Sequence, residues 1–213
     1  MNTKKFVYGC GKALVVLLLF GLTGCGSYNR LVMLEQTVNK KWADVQSVYQ
    51  RRADLIPNLV NTVAGAANFE KSTLTEVTNA RASVGQVKLD PSKAPTDAAQ
   101  LEKFQQAQGQ LSTALSRLLL VTENYPQLRA TEAFQNLQAQ LEGTENRISV
   151  ERNNFNAAVQ EYNTALSTFP TNMLNKMFGF QARPYFNAQP NAEKAPEVKF
   201  DSFKAPPPPA ATP

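Results

Sequence analysis

Between Tyr125-Pro126 and Phe169-Pro170 a large apolar residue returns at every seventh position: Phe134, Leu141, Ile148, Phe155, Tyr162 and Phe169. Seven residues make two helical turns, so these six share one face of one helix. The adjacent column on that face is polar, formed by Gln135, Glu142, Ser149, Asn156 and Asn163. Val159 and Leu166 widen the apolar side, and Glu145 and Arg152 stand at its other margin. The spacing predicts a helix about 60 Å long, and an apolar column of that length requires partner helices.

The same period runs upstream. From Tyr28 onward, Leu31, Val38, Val45, Arg52 and Leu59 form one heptad column. Leu34, Val48 and Leu55 form a second, with Trp42, Tyr49, Ile56 and Val63 beside it. Pro57 lacks a backbone donor, which predicts a kink over Ala53 to Pro57 and not an end, because the apolar period continues across it. This helix should stop near Ala66 to Asn68. A second helix, from about Phe69 to Val87, presents Glu70, Leu74, Val77, Arg81 and Val84. Pro91 and Pro95 then break the chain. Thr96-Asp97 opens a third helix that faces Leu101, Phe104, Ala107, Leu111, Leu115 and Leu118 inward as far as about Thr122. After Phe169-Pro170, a short helix over Thr171 to Phe178 closes at Gly179, and Phe178, Phe180, Tyr185 and Phe186 are placed to fold back on the helices. No alternating Val/Ile/Thr run or Asn-Gly turn signals a strand. The fold class expected is all-α: an antiparallel up-and-down bundle of long helices, with a Pro-rich, disordered tail over 187–213 that ends in the polyproline run Pro206 to Pro209.

The amino terminus differs from the rest. Met1 to Lys12 is positively charged, and Ala13 to Leu22 is an apolar run of about ten residues, short of the ~20 that a spanning helix needs. This is the shape of a secretory signal peptide, expected over 1–24. Its end, Leu22-Thr23-Gly24-Cys25, resembles the lipobox of bacterial lipoproteins. That resemblance implies lipidation of Cys25, with the lipid bilayer as a partner and the cell envelope as the location. Gly26, and not Asp, follows the cysteine, which by the same resemblance favours the outer membrane in a cell that has one. An ordinary thiol at Cys25 and an uncleaved membrane anchor are the alternatives. Cys10 lies in the segment to be removed, so no disulfide is expected.

Composition narrows the chemistry. The 213-residue chain has a net charge of +5, but Lys4, Lys5 and Lys12 fall in the segment to be removed. The pI of 9.2 therefore does not indicate a nucleic-acid partner, and no basic run interleaved with aromatics supports one. The chain has no His, so the commonest general base and the commonest transition-metal ligand are both missing. A ferritin-like metal site, which uses Glu-x-x-His, is excluded in its usual form. No cofactor is expected. What remains is a set of polar side chains on or beside apolar stripes: Arg52, Asp54, Glu70, Arg81, Glu123, Glu142, Glu145, Arg152, Asn156 and Asn163. They read as a structural polar network that fixes helix register, with Arg52 paired to Glu142 or Glu145 of the last helix. The competing reading is a ligand or catalytic site with paired carboxylates.

Several blocks together resemble the LemA family: Tyr28-Asn29, Arg51-Arg52-Ala53-Asp54-Leu55-Ile56-Pro57-Asn58-Leu59, Glu70 with Arg81, Glu123-Asn124-Tyr125-Pro126-Gln127-Leu128, and Glu145-Asn146-Arg147-Ile148 followed by Arg152, Phe155-Asn156, Tyr162-Asn163-Thr164 and Phe169-Pro170. The resemblance covers Tyr28 to about Phe186. It implies a helical bundle, over 25–186, fixed to a bacterial membrane, without an enzymatic activity to carry over. The function expected is a non-enzymatic scaffold or interaction module of the cell envelope, acting with an unidentified envelope protein. The rival is an accessory or regulatory subunit of an envelope protease or transporter.

Overall fold

The computed structural model describes residues 3–67, 69–169 and 171–187; the side chains of residues 3–25 and 174–177 lie outside this description. The lipidation assigned to Cys25 concerns a side chain outside this description, the assignment of 1–24 as a cleaved segment concerns processing and not the backbone described, and the tail beyond Asn187 lies outside the described residues. The described chain forms six helices: α1 (Thr3–Ala64), α2 (Lys71–Gln86), α3 (Ala98–Thr122), α4 (Pro126–Arg129), α5 (Glu132–Ser167) and α6 (Thr171–Phe178). No strand occurs among the described residues, so the fold is all-α.

The helices start and stop for local reasons. Asp97 caps α3 by accepting the Ala99 N–H at 2.9 Å, and Thr131 caps α5 by accepting the Phe134 N–H, with Glu132 in the first turn. Gly179 after α6 has a positive φ of 73°, the left-handed geometry that suits glycine at a helix end. The single turn α4 separates α3 from α5, so the long helix begins at Glu132 and spans 36 residues, about 54 Å.

Contacts between α1 and α5 fix their direction. Arg52 bonds to Glu145, and Trp42 meets the Phe155 ring at 5.7 Å. As numbers rise on α1 they fall on α5, so the two are antiparallel. Tyr49 meets Phe104 at 5.1 Å and Arg52 meets Ser112, so α3 runs parallel to α1. With α2 returning against α3, the order is up, down, up, down. The close backbone pairs are α1 with α5 and α2 with α3, while α3 and α5 stand apart.

The core has two parts along the axis. One gathers Leu31, Val38, Trp42 and Val45 of α1 with Phe104, Phe155, Val159 and Tyr162. The other gathers Ile56, Leu59 and Val63 with Val77, Leu111, Leu118, Phe134 and Leu141. The first heptad column of α1, Arg52 included, is buried throughout, as are Phe134, Leu141, Ile148, Phe155 and Tyr162. Phe169 breaks the expected column: it is 72% exposed. The helix ends at Ser167, and Thr168 is extended at φ −85°, ψ 151°, which swings the next side chain off the face.

α2 is too short to fill its corner of the bundle. The segment 87–97 continues along α1 in its place, held by the Trp42 indole N–H on the Asp90 carbonyl at 2.8 Å and by the Asn39 side-chain oxygen on the Ala94 N–H at 3.0 Å. Residues 180–187 form an extended strap along α5. Asn187, assigned from the sequence to the tail, is bonded to the bundle through Arg152.

Candidate functional site

Arg52 is the buried charge around which the middle of the bundle closes. Its guanidinium donates to Glu145 at 2.8 Å, to the Ser112 hydroxyl at 2.9 Å, and to both the side-chain oxygen and the carbonyl of Gln108. It also lies over the Tyr49 ring, 5.3 Å from the centroid. One residue thereby ties α1 to α3 and α5. The pair is lopsided: the Arg52 side chain is 2% exposed and that of Glu145 is 51% exposed. Arg52 Nε has no hydrogen-bond partner among the described residues. Burial pushes the Tyr49 phenol above its ordinary pKa, against the opposing pull of the Arg152 and Arg52 guanidinium groups.

The separation of α3 and α5 leaves a groove of about 600 Å³ above this cluster, walled by Gln105, Ser112, Thr113, Glu145 and Arg152 and ending at Asn187. A hollow of similar volume lies at the far tip, among Gly65, Ala66, Tyr125 and Leu128. Among the described residues no three His, Cys, Asp or Glu side chains are grouped to hold a metal. Glu145 is engaged by the Arg52 guanidinium at 2.8 Å.

The structure redistributes the other polar residues named from the sequence. Asn156 and Asn163 do not pair helix with helix. Each reads one residue of the strap, as a neighbouring strand would. Asn156 donates to the Phe186 carbonyl and accepts its N–H, at 3.0 and 2.9 Å. Asn163 does the same with Arg183, at 2.9 and 3.0 Å. The register follows from geometry: seven helical residues rise about 10.5 Å, and three extended residues cover about 10 Å. Arg152 completes this docking rail by donating to the Asn187 carbonyl and covering the Phe186 ring, 4.9 Å from its centroid.

Arg81 and Glu70, expected to face inward, are exposed. Arg81 has a different task. Pro57 has no N–H to give the carbonyl four residues earlier, that of Ala53, and Arg81 Nε donates to that carbonyl at 3.0 Å. This is how α1 passes through Pro57 without ending. Glu70 accepts from the Ser72 and Thr73 hydroxyls at the start of α2. Glu142 is exposed and bonds to Gln138, not Arg52. Asp54 is exposed and accepts from Gln50, and Glu123 is exposed at the end of α3. These side chains lie outside the interior network because each sits on the water side of its helix.

A second buried arginine was not singled out from the sequence. Arg183 of the strap donates to Glu35 of α1 at 2.5 Å and to the Ala94 carbonyl at 2.8 Å. It joins strap, α1 and the 87–97 segment, and its residue is 4% exposed. The neighbouring Tyr162 hydroxyl donates to the Gln181 carbonyl at 3.1 Å. Its pKa is raised by burial first and by Glu35 second, while Arg183 lowers it.

Comparison with known proteins identifies relatives of the chain. The family model described as the LemA family matches residues 41–200. That match starts later than the Tyr28 block and runs past the strap. The magnetosome protein MamQ of Magnetospirillum gryphiswaldense is 27% identical over 178 residues, covering 76% of this chain and 65% of that protein. MamQ 1 of Paramagnetospirillum magneticum is 25% identical over 182 residues, with the same coverage. Protein LemA of Metamycoplasma hominis is 22% identical over 154 residues, covering 72% of this chain and 66% of that protein. The chain thus spans just under two thirds of the length of these relatives. With three quarters of its residues inside the matched region, the chain belongs to the LemA family.

Proposed function

We propose that this protein is a non-enzymatic helical scaffold of the bacterial cell envelope. Acylated Cys25 holds it to a lipid bilayer, and its bundle is presented to an unidentified envelope protein. One observation carries the reading: the interior charges and amides are engaged by the fold itself. Arg52 is taken up by Glu145, Ser112 and Gln108, Arg183 by Glu35 and Ala94, and the Asn156–Asn163 rail by the strap. Networks of this kind specify one arrangement of helices. The alternative of a catalytic pair needs two carboxylates poised for proton transfer, and the groove offers Glu145 already engaged. Membrane attachment rests on the charged amino end, the apolar run and the Leu22-to-Cys25 box, and it fits the likeness to proteins named for the magnetosome.

Crosslinking in intact cells, followed by identification of what is joined to the protein, tests the scaffold. One or a few envelope proteins, lost on Cys25→Ala along with membrane recovery, support it. Turnover of a small molecule by the purified chain, abolished by Glu145→Gln with the fold intact, would replace it with an enzyme.

A further inference from the structure

The proposed anchoring leaves open how the bundle sits on its membrane, and one end of the molecule bears on that question. The pairing of α1 with α5 places the end of α5, and α6 after it, level with Tyr28. The Tyr28 ring lies 4.9 Å from that of Phe178 and 5.7 Å from that of Phe180. Of the eight large apolar side chains exposed among the described residues, Tyr28, Phe169, Met173 and Phe178 belong to this end. The other four are spread over α1, α3, α5 and the strap. Exposed apolar groups concentrated at one end call for a partner.

The position of that end identifies the partner. Cys25 is three residues before Tyr28, less than one helical turn. The backbone of α1 is one helix through this point, so no flexible linker separates anchor from bundle. The geometry is the same whether Cys25 carries the lipid or the apolar run is retained. Aromatic side chains with one apolar body and one polar tip, such as Tyr28, favour the boundary between acyl chains and headgroups. Arg30, exposed just beyond, suits anionic headgroups.

We infer that the rim formed by Tyr28, Phe169, Met173 and Phe178 is a membrane-contact surface that enters the headgroup region of the bilayer and holds the bundle upright on it. This rests on the anchoring proposed above. The rim is the second point of attachment that one lipidated residue needs to fix an orientation.

The test uses the full-length chain in vesicles of phosphatidylcholine and phosphatidylglycerol, with part of the lipid brominated near the headgroup end of its acyl chains. Phe178→Trp and Phe169→Trp are compared with Leu120→Trp, near the opposite end. The emission of buried Trp42, common to all, is subtracted using the parent chain. The expected result is loss of emission by bromine quenching at 178 and 169, and no loss at 120. A chain that floats with the vesicles but shows the same emission at all three positions overturns this inference and leaves the anchor standing. A blue-shifted but unquenched signal at 178 means that protein covers the rim, and also overturns it. A chain that stays in the aqueous fraction removes the anchor and the inference together.

Discussion

Replacing Arg52 separates two ways in which a buried charge can matter. In Arg52→Ala, the bundle loses the buried stem beyond Cβ, and two methylenes at ~0.8 kcal/mol each give about 1.6 kcal/mol. It also leaves the Gln108 side-chain oxygen without its donor in a buried position, a further ~2 kcal/mol. Glu145 adds little, because its side chain is half exposed and water replaces the guanidinium. The expected loss is therefore about 4 kcal/mol, within the range for removing one member of a buried pair. Arg52→Met restores the stem but not the bond to Gln108, so it should cost about half as much. Glu145→Gln keeps an acceptor at the same place and should cost no more than ~1 kcal/mol. Urea unfolding followed by the emission of Trp42, the only tryptophan, reads all three. A Glu145→Gln loss equal to that of Arg52→Ala, or an Arg52→Ala loss below ~1 kcal/mol, would overturn this role for Arg52.

Other consequences can be checked separately. Asn156→Ala and Asn163→Ala each remove two hydrogen bonds to the strap, about 1–2 kcal/mol apiece, and should speed hydrogen exchange at the Arg183 and Phe186 amides without unfolding the helices. Arg81→Ala should cost less in a Pro57→Ala background, where Ala53 regains a donor from the helix itself; equal cost in both backgrounds would show that Arg81 acts elsewhere. Glu35→Ala leaves the Arg183 guanidinium buried without its carboxylate and should cost about 3 kcal/mol, with the strap released first. Tyr49 and Tyr162 both have raised pKa values, so the fold favours the neutral phenol. That contribution is whole below pH ~10 and is lost as pH rises through the folded values. Unfolding free energy should therefore fall above pH ~10, and less steeply in Tyr49→Phe.

The columns were legible because a helix packed over its whole length repeats its burial every seven residues. Arg52 stood out for the same reason, as a charge inside an apolar column, and the search for its partner narrowed to two glutamates one turn apart. The strap was not legible. An extended segment has no period of its own, and Asn156 and Asn163 bind its backbone, which leaves no mark on its side chains. Their seven-residue spacing was visible, but it fits two packed helices as well as a strap in step with one. Arg183 was missed for that reason. Phe169 did carry a warning: it precedes a proline, and a residue there is disfavoured from helical geometry. The task of Arg81 depended on where α2 returns to α1, which no local pattern states.

In the proposed scaffold the interior charges fix the fold and do nothing else. The direct measurement is the crosslinking profile in cells of the double variant Arg52→Met with Gln108→Leu, which replaces the buried guanidinium and its buried acceptor with apolar groups. The expected result is a folded protein that captures the same partners as the parent. A folded protein that has lost them would contradict it, because the charge would then be serving the partner and not the fold.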